Sequence, residues 1–170
     1  LFVDPGSRLF REPAAHGMTI RFDTLARIRD GLTAPFWTEA IGRPGAKQMG
    51  FLRLLVESRP ILQSIPDQAL IATGQGEKGE YMTALRATDG SYAMVYLPVG
   101  KAVTVHTNSL KGKTLVAWWF DPRKGRAKKI GSFDKQADMT FTPPQTGVEK
   151  DWVLVIDDAE AKFEAPGKGK

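Results

Sequence analysis

The chain has 170 residues, of which 42% are hydrophobic and 25% charged, and its formal net charge is +5. This length fits one domain, or one domain with part of another, and the composition predicts a folded core rather than intrinsic disorder. The sequence has no cysteine and only two histidines, His16 and His106. That excludes disulfides and thiolate metal sites and leaves almost no material for a histidine-based triad or a zinc site. We therefore predict no metal ion and no cofactor.

Neither a membrane span nor a secretory signal is visible. No apolar run approaches the roughly 18 residues that a spanning helix needs, and the N-terminus lacks a basic stretch followed by an apolar region. Because residue 1 is Leu rather than Met, we expect the chain to be cut or processed. The missing signal therefore leaves the compartment undecided.

Two helices are predicted in the first third of the chain. Apolar residues three or four apart predict a short amphipathic helix over Thr19–Asp30. A clearer helical repeat follows the breaker pair Pro44-Gly45 and ends before Arg59-Pro60, which predicts a helix over Ala46–Ser58. Its apolar face is formed by Met49, Leu52, Leu55 and Val56.

After Pro66 the sequence changes to short runs rich in β-branched and aromatic residues, separated by turn residues about every 8–12 positions. Asp89-Gly90 is a strong hairpin signal. The pattern predicts a mainly β protein, an antiparallel β-sandwich of about eight strands with one or two N-terminal helices. The candidate strands are Ala69–Ala72, Tyr81–Ala87, Tyr92–Leu97, Ala102–His106, Leu115–Phe120, Ala127–Ser132, Met139–Thr142 and Trp152–Ile156.

This organisation divides the chain into three parts: a helical segment with a linker (residues 1–65), a sandwich (66–158) and a flexible tail (159–170). The run Trp152–Ile156 is apolar on both faces, which predicts a central strand covered on both sides, on one side by the Ala46–Ser58 helix. Strand alternation places Trp118 and Trp119 on opposite faces. Because Trp118 shares its side with Val116 and Phe120, we predict it in the sandwich core and Trp119 on the other face, under a helix, a barrel or a sugar.

No catalytic residue is predicted. The run Gly74–Gly79 matches G-x-G-x-x-G, but a hairpin rather than a helix follows it, so a glycine-rich loop is favoured over a dinucleotide site. Glycoside cleavage needs two carboxylates facing each other, and spacing pairs none of the acidic residues here. His106, at a strand end, is interpreted as a lone surface histidine.

The densest charge run is Arg123–Lys129. Such cations could bind nucleic acid by releasing phosphate counterions, with Trp119 as a stacking platform. The favoured interpretation is a solvated hairpin in which lysines protect an edge strand. No nucleic acid is therefore expected as a partner.

Several motifs, in order, resemble a family. The stretches up to residue 68 resemble the end of the catalytic barrel in apiosidase-like bacterial glycoside hydrolases, and the later ones resemble the β-sandwich that follows that barrel, which bears the label of a putative collagen-binding domain of a collagenase. The first set is Trp37-Thr38-Glu39-Ala40, Arg43–Met49, Glu57–Pro60 and Pro66-Asp67-Gln68; the second is Gly90–Tyr96, Trp118–Arg123, Phe141–Pro144 and Asp151–Val155.

The resemblance implies a non-catalytic, C-terminal accessory sandwich of a carbohydrate-active enzyme, because the catalytic carboxylates would lie on barrel strands upstream of this chain. The upstream barrel would be its partner, and a secreted or periplasmic location would follow. Because an exposed aromatic ring can stack on a sugar face, Trp119, Asp121 and Arg123 are the candidate ligand-binding residues, for a plant polysaccharide or other glycan. Two alternatives stay open: an adhesion module for extracellular protein such as collagen, and a nucleic-acid-binding module that uses the basic hairpin.

Overall fold

The computed structural model describes residue 42 and residues 44–168. The helix predicted over Thr19–Asp30, and most of the segment 1–65, lie outside these residues. Helix α1 spans Pro44–Glu57, two residues earlier at its start than the prediction, because proline is well tolerated in the first turn of a helix. It ends just before Arg59-Pro60, where the proline disfavours helical backbone at the preceding residue.

Nine strands follow among the described residues, one more than predicted. Their bounds are β1 Ser64–Pro66, β2 Ile71–Thr73, β3 Thr83–Ala87, β4 Tyr92–Leu97, β5 Val103–His106, β6 Thr114–Asp121, β7 Arg126–Asp134, β8 Asp138–Phe141 and β9 Trp152–Asp158. The additional strand is β1, which has only three residues, ends in proline and is largely exposed, so that no alternating pattern marks it in the sequence.

The strands form two antiparallel sheets, which confirms the predicted sandwich. A six-stranded sheet has the order β1-β3-β4-β9-β6-β7, and a three-stranded sheet has the order β2-β5-β8. The apolar residues between them form one core that joins β4, β6 and β9 of the large sheet to β5 and β8 of the small sheet. Strand β7 ends the large sheet and β8 ends the small one, so both are edge strands.

The outer face of the six-stranded sheet carries a second apolar cluster. Leu55 of α1, at 2% exposure, packs there with Val153 and Val155 of β9, and Phe51 packs against the same cluster. Every residue of β9 is buried. The prediction of a central strand covered on both sides, with α1 on one of them, is therefore confirmed.

The C-terminal segment also covers this outer face in its described part, residues 159–168, within the range 159–170 for which the sequence predicted a flexible tail. A 3₁₀ turn at Ala159–Ala161 is capped by the Asp158 carboxylate, which accepts a hydrogen bond from the Glu160 amide. Phe163 then meets Tyr92 edge to face, with ring centroids 6.1 Å apart, and Pro166 is buried. The lysines and glycines of this segment are typical of frayed chain ends, so the sequence gives no sign that it packs on the sheet.

The β3–β4 connection is the hairpin that Asp89-Gly90 predicts. Gly90 has φ +76°, its amide donates to the Ala87 carbonyl at 3.0 Å, and the Ser91 amide donates to the Asp89 carboxylate at 3.0 Å. A Cβ at Gly90 would lie 2.6 Å from the Ser109 carbonyl oxygen. Both the positive φ and the close approach of the neighbouring loop therefore require glycine.

Candidate functional site

The two adjacent tryptophans are placed opposite to the prediction. Trp119, only 4% exposed, lies in the core between the sheets with Leu115 and Ala117, whereas Trp118 packs with Phe120 on the outer face near α1. Alternation separated the two sets of β6 side chains correctly. It could not say which set faces the second sheet, because both sets are equally apolar.

The three residues predicted to bind ligand lie close together in the chain but have different surroundings. The Arg123 guanidinium donates to both Asp121 oxygens, at 2.8 and 3.1 Å, and its backbone amide donates to the same carboxylate at 3.0 Å. It also lies 5.2 Å from the centre of the Trp152 ring, and Trp152 meets Trp119 edge to face at 6.3 Å. The arrangement closes the β6–β7 turn onto the start of β9.

Asp151 completes this network on its outer side. Its carboxylate is 3.5 Å from the Arg123 guanidinium. Burial raises the pKa of Asp151, and the nearby Arg123 charge opposes that rise. Burial likewise raises the pKa of Tyr96, helped by the negative charge of Asp151. The Arg123 guanidinium is thus paired within the protein, with the carboxylates of Asp121 and Asp151.

Several other acidic side chains of the sandwich are paired with basic side chains rather than with each other. Asp157 receives two hydrogen bonds from Arg59, at 2.8 and 2.6 Å, in a pair almost fully buried. Asp67 is 2.6 Å from Arg86. His106 pairs with Asp138 across strands β5 and β8, so the interpretation of His106 as a lone histidine is wrong; the partner is supplied by strand pairing that spacing along the chain does not reveal.

The Arg59–Asp157 pair was missed by the sequence analysis. Arg59 also donates to the backbone carbonyls of Ser58 at 2.7 Å and Glu164 at 3.1 Å, and its guanidinium lies 4.6 Å from the centre of the Phe163 ring. Burial raises the pKa of Asp157, and Arg59 acts in the opposite direction. One side chain thus ties the end of α1 to β9 and to the C-terminal segment.

The glycine-rich and basic motifs fall on surface connections. Residues 74–79 lead into a short 3₁₀ turn at Lys78–Glu80 and not into a long helix, so the loop interpretation is confirmed. The basic run forms the β6–β7 turn and the start of β7 at the sheet edge. Lys129 lies 5.7 Å from the centre of the Trp118 ring. Among the described residues no group of three or more histidine, cysteine or acidic side chains is placed to hold a metal ion.

Helix α1 carries large apolar side chains that stay exposed. Phe51 and Leu55 face the sheet, but Met49 is 63% exposed and Leu52 44% exposed. Met49, Leu52 and the half-buried Val56 are spaced three and four apart, so they share one side of the helix. We call these three residues the α1 stripe. Just beyond the helix, Leu62 is 98% exposed.

The comparison with family models decides the classification of the sandwich. Residues 65–157, more than half of the chain, match the family described as "Putative collagen-binding domain of a collagenase". The chain belongs to this family. The match begins in β1 and ends in β9, so the family unit is the sandwich itself, without α1. No curated protein matches the chain.

Two solved structures extend the likeness beyond the sandwich. A protein named "Glycoside hydrolase" is 30% identical, with a TM-score of 0.69 over 76% of this chain. A glycoside hydrolase family 5 protein from Bacteroides vulgatus ATCC 8482 is 28% identical, with the same TM-score and coverage. The chain spans only 29% and 28% of these two proteins. The association of this sandwich with glycoside hydrolases is therefore confirmed, whereas the apiosidase assignment stays a prediction.

No helix among the described residues is long and apolar enough to cross a membrane.

Proposed function

We propose that this chain is a non-catalytic accessory module of a glycoside hydrolase and that it supports the catalytic domain by packing against it. The similar glycoside hydrolases support the proposal, because each has more than two thirds of its length outside the part that this chain matches. A catalytic domain of that size would precede the sandwich. In this arrangement α1 stands between the sandwich and the catalytic domain.

The α1 stripe is the observation that carries the proposal. A helix at the surface of a globular domain normally turns its apolar residues inward and polar residues outward. Here α1 is apolar on two sides, and only the side with Phe51 and Leu55 is used by the sandwich. An exposed apolar patch of this kind marks an interaction surface, and its occupant in this proposal is the catalytic domain.

The carboxylates of the sandwich support the non-catalytic part of the proposal. Hydrolysis of a glycosidic bond uses an acid and a second carboxylate on opposite sides of the bond, about 5–10 Å apart. Asp121 and Asp157 are each held by an arginine through two hydrogen bonds, and Asp67 is paired with Arg86. Each of these three carboxylates is thus paired with an arginine, and none of them faces a second carboxylate as the reaction requires.

The test uses the complete protein, with its catalytic domain, and the Leu52→Glu variant. If the stripe is an interface, a buried glutamate disrupts it, and the catalytic domain and the sandwich should unfold in two separate calorimetric transitions instead of one. Leu54→Glu is the matched control, because Leu54 is also exposed, at 37%, but lies on a different side of the helix. The control should keep the single transition.

The same pair of variants in the 170-residue chain separates an interface from a folding defect. Both leucines are exposed there, so each substitution should change the free energy of unfolding by no more than about 0.5 kcal/mol. The proposal fails if Leu52→Glu leaves unfolding of the complete protein unchanged, or if both variants disturb it equally.

A further inference from the structure

A groove opens along one side of the sandwich, between the edge strands β7 and β8. Its volume is about 650 Å³, within the range of roughly 300–1,000 Å³ that is typical of small-molecule sites. The two strands belong to different sheets and are joined by the short segment 135–137. Because neither sheet has a further strand beyond them in the described part of the chain, the inter-sheet core approaches the surface at this point.

The floor of the groove is aromatic. Trp119, Phe133 and Phe141 line it, and the two phenylalanines meet edge to face with centroids 6.2 Å apart and an angle of 82°. A Cβ at Gly131 would lie 3.1 Å from Cζ of Phe133, so the missing side chain at that position leaves room for the ring. Phe133 is half-buried and Trp119 is nearly covered. Phe133 is therefore a positioned aromatic surface that a ligand can reach.

The rim of the groove is polar and exposed. Asp134 and Gln136 stand at the β7–β8 connection, and Asp138 and Thr140 follow along β8. The Thr140 hydroxyl shares a 2.9 Å hydrogen bond with Thr104, and Asp138 pairs with His106. Polar residues at the edge of an aromatic floor suit a ligand with many hydroxyls on one side and apolar C–H groups on the other.

We propose that this groove binds a neutral oligosaccharide. A pyranose ring stacks its C–H face on an aromatic ring and presents hydroxyls at its edge to side chains that accept and donate hydrogen bonds. The lining disfavours acidic sugars: Asp134 and Asp138 are acidic, Asp138 being paired with His106, and neither lysine nor arginine is among the described residues that line the groove. This proposal goes beyond support of the catalytic domain and does not depend on α1.

The groove also revises the place of the predicted ligand site. Of Trp119, Asp121 and Arg123, only Trp119 lines it, and it does so as part of the floor. The reachable contacts are contributed by Phe133 and Gln136, which lie well beyond the predicted turn. We therefore place the proposed glycan site at the β7–β8 edge rather than at the β6–β7 turn.

Affinity electrophoresis of the 170-residue chain tests the proposal. Gels contain galactomannan or xyloglucan as neutral probes, polygalacturonate as an acidic probe, or gelatin as a protein probe. At least one neutral polysaccharide should retard the chain, and polygalacturonate and gelatin should not. Titration calorimetry with oligosaccharides from the retarding polysaccharide then gives the dissociation constant.

Matched variants assign the binding to the groove. Phe133→Ala and Gln136→Ala should each weaken binding at least tenfold. Tyr81→Ala and Gln145→Ala remove an exposed aromatic and an exposed amide elsewhere and should change it less than twofold. Gln136 is exposed, so its variant remains informative even if Phe133→Ala unfolds.

Three results would overturn the proposal. The first is that no neutral polysaccharide retards the chain. The second is that polygalacturonate or gelatin retards it more strongly than the neutral polysaccharides do. The third is that the groove variants and the control variants lose binding affinity equally.

Discussion

The buried pair of Arg59 and Asp157 gives the sharpest test of how the fold is held together. The two side chains are 0% and 3% exposed, and two hydrogen bonds of 2.8 and 2.6 Å join them. Removing one partner of a buried ion pair leaves an uncompensated charge and typically costs about 3–5 kcal/mol. We expect Arg59→Met to lower the free energy of unfolding by this amount, out of a total of about 5–15 kcal/mol for a domain of this kind.

A double-mutant cycle separates the pair from the other contacts of Arg59. Asp157→Leu alone should also cost about 3–5 kcal/mol, because it leaves the guanidinium buried without a counter-ion. The variant that carries both changes should cost much less than the sum, with a coupling free energy of about 3 kcal/mol, because an apolar pair can replace a buried ion pair. The double variant should still be somewhat less stable than the original chain, because Arg59 also donates a hydrogen bond to the Glu164 carbonyl.

The pair of Arg86 and Asp67 is the matched control, because its N–O distance is also 2.6 Å but its side chains are 22% and 20% exposed. Arg86→Met should cost only about 1 kcal/mol, as expected where water screens the charges. Urea denaturation of each variant gives the free energies. Equal losses for Arg59→Met and Arg86→Met, or a double variant that loses the full sum, would refute the reasoning.

The Arg59→Met variant should also respond to pH. Burial raises the pKa of Asp157 above its usual value of 3.8, and removing Arg59 takes away the main interaction that opposes the rise. The folded state then holds a proton at pH values where the unfolded state has released it. The free energy of unfolding of the variant should therefore increase as the pH falls from 7 towards about 4. A variant whose deficit relative to the original chain is the same at pH 7 and pH 5 contradicts this assignment.

Three further outcomes follow from the structure. Trp119→Ala should cost about 3–5 kcal/mol in urea denaturation, as for other buried aromatics, and Trp118→Ala should cost less because that ring is only half-buried; the reverse order would contradict the face assignment. Ending the chain after Ala161 removes Phe163 and Pro166 from the outer face and should lower stability by about 2 kcal/mol or more, whereas an unchanged melting temperature would indicate a frayed tail. The 170-residue chain should release no sugar from chromogenic glycosides or pectin oligosaccharides, and turnover that disappears in an Asn variant would show a catalytic role for Asp67, Asp121 or Asp157.

The sequence by itself was sufficient for the architecture of the sandwich. Turn residues at short intervals and two-residue alternation are local signals, so they located eight strands and α1 within a few residues. The two-sided apolar run at Trp152–Ile156 also identified β9 as a central strand, because only a strand covered on both faces tolerates such a pattern. The motifs around it resembled the family to which the chain belongs.

Tertiary structure decided what depends on contacts between distant parts of the chain. Alternation assigned Trp118 and Trp119 to different faces, but the position of the second sheet determined which of them is in the core. Arg59 and Asp157 are 98 positions apart, and neither residue carries a local sign of its partner. The groove exists only because β7 and β8 end their sheets on the same side of the sandwich. Local sequence patterns show which faces of an element are apolar, but only the packing of the whole domain shows what each face contacts.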